Sequence, residues 1–309
     1  MSTARIPGPR SEFGSLQPRP TTFVVGAGPV ATALAGALRL GGVPVLGLWA
    51  RKPPQARAAG AAAGVAAFSS APPDILLEAE VVLLAVRDAA VPDVAQMLMG
   101  TGLIGKRHVL LHCAGAASAQ ELLGAFADKV GGIGTMHPLQ AIADGRTAMR
   151  TLKGAVFGVE GNEVGRATAG NLVAALGGIV MGLDSSQMAA YHCAAALASN
   201  YLVSAIDAAA QVLAGAGVSP TQAAQALVPL AEGALRNVSA KGTTSGLTGP
   251  IRRGDAPTIQ RHLEALATKP DVAQLYRALA RHAVEIAARI DGPDAPDREG
   301  LARIRQILG

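Results

Sequence analysis

Residues 21–40 read TTFVVGAGPVATALAGALRL. A short apolar run ends in Gly26-Ala27-Gly28, and an alanine-rich helical stretch follows at once. Gly-x-Gly-x-x-Ala between a strand and a helix is either a dinucleotide clasp or merely a tight strand-to-helix turn. In the clasp, Gly26 permits the turn, Gly28 lets backbone approach a pyrophosphate, and Ala31 lets helix and strand pack closely. The helix beginning near Pro29 would point its free N–H groups at the phosphates. Gly26, Ala27, Gly28, Pro29, Val30 and Ala31 are thus the candidate phosphate cradle.

Outward from that stretch, apolar bursts alternate with alanine-rich helical segments. Strands are expected at 22–25, 43–49, 81–85, 109–112, 132–136 and 155–159. Strand alternating with helix at this spacing predicts an α/β fold with a doubly wound parallel sheet of Rossmann type. After about Ile179 the strand signal stops. One long helix over 185–214, another over 220–240, and three more near 258–267, 271–290 and 297–308 predict an all-helical C-terminal half. The expected division is a disordered or tag-like leader at 1–20, a dinucleotide-binding domain at 21–182 and a helical substrate and dimerisation domain at 183–309.

The second strand decides which dinucleotide. An NAD site needs an acidic residue about 20 positions on, to bind the ribose 2′-hydroxyl. Between Gly28 and Asp74 there is no Asp or Glu, and the strand runs instead into Arg51 and Lys52. Two cations there suit the 2′-phosphate of NADP(H), which an acid would repel. The alternative is a pair of solvated loop charges. Val86 and Arg87 close another strand at the edge where the cofactor would cross, and Arg87 suits either a phosphate or a surface ion pair.

Two histidines also follow strands. His112, a candidate cofactor contact, precedes Cys113-Ala114-Gly115, and His137 lies in MHPLQ, with Gln140 nearby. Carboxyl ends of strands are where open α/β sheets bind ligands. On the long helix, His192, Ala196, Ser199, Asn200, Val203 and Asp207 share one sector at about 100° per residue. A polar stripe on an apolar helix faces a cleft, a partner or water, because an unpaired buried polar group is costly. The segment KGTTSGLTGPIRRGD, expected as a loop, gathers Thr248, Arg252, Arg253 and Asp255, and its Arg pair suits a carboxylate.

Composition narrows the function classes. Half of the 309 residues are hydrophobic, but aromatics are 3%. The +5 formal charge is scattered, so it points to a small anionic ligand rather than nucleic acid. Cys113 and Cys193 have no metal-like or disulfide-framework spacing, which fits a reducing cytoplasm and predicts no metal site. The apolar stretch 189–216 is interrupted by His192, Asn200 and Asp207 and reads as a buried helix rather than a membrane span. Its remaining apolar faces predict a homodimer.

In this order, the fingerprint, HCAG (112–115), HPLQ (137–140), ASNYLVSAIDAA (198–209) and LTGPIRRGD (247–255) resemble a group of NADP-dependent oxidoreductase-like proteins. Their helical second domain is a domain of unknown function. The group is similar in turn to the 6-phosphogluconate dehydrogenase-like superfamily, with its ketopantoate, β-hydroxyacid, prephenate and pyrroline-5-carboxylate enzymes. The resemblance spans Thr22 to about Ile290. It implies hydride transfer from NADPH to a small carbonyl compound bearing a carboxylate. His192 would be the proton donor, Asn200 would orient the carbonyl, and His137 would be the alternative acid. His192 stands where ketopantoate reductases carry Lys, and Ala196 replaces an intermediate polar residue. Gln140, Ser199, Thr248, Arg252, Arg253 and Asp255 are the candidate substrate contacts. Reduction of an imine, or a non-catalytic NADP-binding regulatory module, are the alternatives.

Overall fold

The structure is a computed structural model that describes residues 19–309; the expected leader lies almost wholly outside them. Eight strands form one sheet in the order β3-β2-β1-β4-β5-β6-β7-β8. In chain order they are β1 (Thr22–Val25), β2 (Val45–Ala50), β3 (Ala67–Ser69), β4 (Val81–Leu84), β5 (Val109–His112), β6 (Gly132–Pro138), β7 (Val156–Gly161) and β8 (Ile179–Gly182). The helices among them are α1 (Pro29–Leu40), α2 (Pro53–Ala63), α3 (Val91–Gly100), α4 (Ala119–Leu123), α5 (Gly145–Thr151) and α6 (Glu163–Ala175).

Period-two alternation puts successive side chains on opposite sheet faces. In β1, Val24 enters one core with Leu34, Leu48, Leu83, Leu111 and Phe157. Phe23 and Val25 enter the other, with Val82, Leu84, Leu110 and Phe126. Both faces are covered, which is why the strands read as unbroken apolar runs.

Two strands escaped the sequence pattern. β3 is three residues long, and β8 is an edge strand whose four residues are exposed, so neither carries a buried apolar run. The sheet is also not wholly parallel: β7 runs antiparallel to β6, with Met136 opposite Val159 and His137 opposite Gly158.

The chain divides into two compact units, 1–197 and 198–309. The first extends beyond the expected break at 182/183, because a short 3-10 turn and α7 (Met188–Ala198) follow β8 and stay with the sheet. Tyr191 of α7 is tied to His137 of β6 at 2.9 Å. The expected single long helix is interrupted: Ser199 has φ −121° and ψ −76°, and α8 (Asn200–Gly215) starts after it. The 100° phase that aligned His192 with Asn200 and Asp207 therefore does not run through. Burial was also misread, since α8 has no buried residue and α7 only Met188. By length and composition alone, Ser185–Gly215 is apolar enough to cross a bilayer.

The second unit continues with α9 (Pro220–Gly246), α10 (Pro250–Arg253), α11 (Ala256–Ala265), α12 (Pro270–Ala288) and α13 (Arg298–Leu308). Ser219 caps α9 through a reciprocal bond pair with Gln222. The supposed loop 241–255 is mostly helical: α9 continues past a kink at Gly242, where φ is +74°, and α10 forms a turn around Arg252 and Arg253. Ile251, Ile259, Val284, Leu301, Ile304 and Leu308 make this unit's core.

Candidate active site

The sheet unit holds a cavity of about 580 Å³ at the carboxyl ends of its strands. One wall is the fingerprint turn. Gly26 has φ +138°, and a Cβ there would collide with the Ala85 carbonyl oxygen, so only glycine fits. At Gly28 the situation is opposite, since a Cβ would meet nothing within 4 Å. No protein atom demands that glycine; the space over it is free for a ligand. Ala31 is fully buried beneath the turn and takes no part in the lining. Nothing caps α1 with a side chain, and no acid lies in its first turn, so its N-terminal N–H groups remain a site for an anion.

Arg51 and Lys52 reach the same cavity directly after β2, and Arg87 does so after β4. None of the three side chains forms a hydrogen bond or ion pair among the described residues. Three unpaired cations beside an uncapped helix N-terminus give the cavity a positive field, with Asp88 as its acidic member. Gly26, Ala27, Gly28, Pro29, Val30, Arg51, Lys52, Val86 and Arg87 thus line one space.

At the far wall stand His137, His192, Cys113 and Gly115. The imidazoles of His137 and His192 meet edge to face, with centroids 5.8 Å apart and planes at 74°. Gly115 makes room for both: a Cβ there would lie 2.6 Å from Cδ2 of His192 and 2.7 Å from Nε2 of His137. Burial, with His192 and His112 nearby, lowers the His137 pKa to about 4, so its ring is neutral at pH 7. Burial, assisted by Asp88, pushes the Cys113 thiol up to about 12, which leaves it protonated and unreactive.

His112 is not in that wall. It is fully buried, and its Nδ1 accepts from Ala114 N–H at 3.1 Å. Its Nε2 then carries the proton and donates to Thr135 Oγ1 at 3.0 Å. Thr135 in turn donates to Glu160 Oε2 at 3.3 Å. Glu160, itself 4% exposed, also accepts from Ala119 N–H and Ser185 Oγ, each at 2.7 Å. This buried ladder fastens three places at once: the 113–118 loop carrying Gly115, the start of α4, and the 3-10 turn leading into α7. Desolvation holds the His112 pKa at about 4, consistent with a structural, neutral ring.

The remaining sequence candidates, Gln140 apart, belong to the helical unit. Gln140 is exposed after β6 and does not line the cavity. In the helical unit, Ser199 is the irregular residue before α8, Asn200 is exposed at that helix's start, and Thr248 is exposed before α10. Arg252 and Arg253 end α10. Asp255 spends its carboxylate on capping α11, accepting from Thr258 N at 3.1 Å and Thr258 Oγ1 at 2.8 Å. Tyr191, Gly115, Thr135, Glu160 and Ser185 were not singled out from sequence. For Gly115 a signal existed, because a glycine after a strand-end histidine permits close approach. Tyr191 gave none, since one position beside His192 on a helix it points in a different direction.

Two family models match the sequence: a Rossmann-like domain over residues 6–138, and a domain of unknown function, DUF2520, over residues 155–283. No curated protein matches. Among solved structures, a Bacteroides fragilis protein provisionally named an NADP oxidoreductase superposes with TM-score 0.70 at 23% identity, over 86% of this chain and 98% of that one. A Thermotoga maritima protein gives 0.68 at 22% identity, over 86% and 97%. A reductive aminase from Aspergillus terreus, in complex with NADPH and ethyl-5-oxohexanoate, gives 0.58 at 17% identity, over 94% and 99%. At such identities the likeness establishes a shared fold, and in the aminase that fold holds a pyridine nucleotide.

Proposed function

The chain joins a Rossmann-like domain to a DUF2520 domain, and on that footing we propose that it is an NADPH-dependent oxidoreductase acting on a small carbonyl compound that carries a carboxylate. One observation carries the reading. A single cavity has an anion cradle with unpaired Arg51 and Lys52 at one wall and two imidazoles at the other. The residues fit the cofactor: α1 and Gly28 would take the pyrophosphate, and Arg51 and Lys52 the 2′-phosphate. When bound, NADPH supplies a hydride.

The chain supplies the rest. A carbonyl oxygen gaining negative charge needs a proton, and general acid catalysis of this kind contributes roughly 10²–10⁴-fold. His192 takes that role, because its ring lies in the cavity wall and makes no hydrogen bond among the described residues. His137 is held neutral and serves as a hydrogen-bond donor instead of as the alternative acid. Asn200 in orienting the carbonyl, and Arg252 or Arg253 in holding the carboxylate, are proposed on sequence grounds. A homodimer is proposed as well, supported by the exposed Val203, Leu230 and Leu235 of α8 and α9, and a cytoplasmic location fits the two unpaired thiols.

Trp49, the single tryptophan, lines the cavity and reports its occupancy. NADPH should quench its fluorescence saturably, and NADPH should then be oxidised with ketopantoate or a β-oxo acid. Oxidation with cyclic imines alone would move the reading to imine reduction. Quenching without turnover on any substrate would favour a non-catalytic NADP-binding module. The open cavity that both imidazoles line speaks for an enzyme.

A further inference from the structure

His137 sits between two rings. Its Nδ1 is 2.9 Å from the Tyr191 hydroxyl, with the rings at 89°. Its Nε2 faces Gly115 and takes no hydrogen bond among the described residues. Among the described residues no fully buried side-chain nitrogen or oxygen lacks a partner, so that Nε2 is open to the cavity its ring lines. A neutral imidazole carries one proton, and the hydrogen bond at one nitrogen decides what the other presents.

Two proton arrangements satisfy the heavy atoms. In the first, Tyr191 O–H donates to Nδ1, and His137 carries its proton on Nε2, toward the cavity. In the second, Nδ1–H donates to the phenol oxygen, and the Tyr191 proton must go to the His137 carbonyl oxygen at 3.4 Å. That second bond is at the limit of hydrogen-bond geometry, and a phenol is a better donor than acceptor. Burial also raises the Tyr191 pKa, which keeps its proton in place. Tyr191 can approach this closely because residue 158 is glycine: a Cβ there would lie 2.8 Å from the phenol oxygen.

We propose that Tyr191 is a positioning residue that fixes His137 as the Nε2–H tautomer, so that the cavity meets a neutral N–H donor suited to an oxo group and not to a protonated iminium. An oxo oxygen accepts such a bond and holds it more tightly as negative charge develops. An iminium nitrogen has no free lone pair, and its own N–H would oppose the donor. The selection of oxo over imine substrates rests on the reductase reading above, whereas the tautomer itself does not.

The test begins with ring ¹⁵N NMR of the full-length protein at pH 7, with the His137 signals assigned by their loss in His137→Gln. The wild type should show protonated Nε2 and unprotonated Nδ1 before any ligand is added; protonated Nδ1 would overturn the proposal whatever any variant does. In Tyr191→Phe the two forms should mix, and an unchanged tautomer would equally overturn it. With NADPH, Tyr191→Phe should lower kcat on an oxo acid by roughly 10²-fold, narrow the oxo-to-imine ratio, and leave the Trp49-detected NADPH affinity unchanged. An unaltered ratio would refute the selection. If NADPH does not bind at all, the reductase reading fails while the NMR result stands by itself.

Discussion

In the sheet unit Phe23, Val24, Leu83 and Leu111 are fully buried, whereas in the helical unit Val203, Leu230 and Leu235 keep 67%, 71% and 53% of their surface exposed. The first unit packs two cores on the two faces of one sheet and leaves apolar side chains exposed mainly at its margin, as at Ile179, Val180 and Met181 of β8. The second packs a core only around α10 to α13, where Ile259, Val284 and Ile304 meet. Helices α8 and α9 bury almost nothing. A large exposed apolar patch marks an interaction surface. The polar groups differ in the same sense. The sheet unit satisfies its buried ones internally, through the His112–Thr135–Glu160–Ser185 ladder, while the ion pairs of the helical unit are all exposed.

The largest expected effect tests whether the chemistry belongs to the sheet unit. His192→Ala should lower turnover by roughly 10²–10⁴-fold while NADPH affinity, read from Trp49, stays within a factor of two or so. An active variant would remove His192 from the mechanism.

Next comes the pH dependence of stability, which should also reside in the sheet unit. His112 and His137 titrate near 4 when folded, against 6.5 unperturbed. Between those values the unfolded chain binds more protons, so stability is complete above about pH 6.5 and falls as the pH drops toward 4. Below both values this contribution stops changing. The His112 share amounts to roughly 3 kcal/mol. Urea unfolding at several pH values, followed by Trp49 fluorescence, should show the slope. A flat profile from pH 7 to 4 would mean that neither ring is held neutral.

The smallest effect on folding is expected from Leu230→Glu on α9, under roughly 0.5 kcal/mol for an exposed site. Light scattering should nevertheless show the dimer dissociating. A variant that stays dimeric, or a wild type that is monomeric, would leave the exposed face without the proposed partner.

The same contrast explains what could be read in the sequence. Six strands and the fingerprint announce themselves because their residues are buried on both faces, leaving runs such as Val81–Leu84. β3 and β8, short and exposed, do not. Arg51 and Lys52 could be placed at the cavity from sequence because they directly follow β2, at the carboxyl edge of the sheet. The Tyr191–His137 pairing was hidden, since those residues are 54 positions apart and meet only when α7 folds against β6. The break at Ser199 was hidden too, because alanine-rich sequence favours helix on both sides of it.

The most direct measurement is a Trp49 fluorescence titration with NADPH and with NADH, on the wild type and on an Arg51→Ala/Lys52→Ala variant. If those two side chains hold a 2′-phosphate, the wild type should bind NADPH at least about 10-fold more tightly than NADH, and the double variant should lose that preference through weaker NADPH binding alone. Equal affinities in the wild type, or a preference that survives both substitutions, would contradict an NADPH site in this cavity.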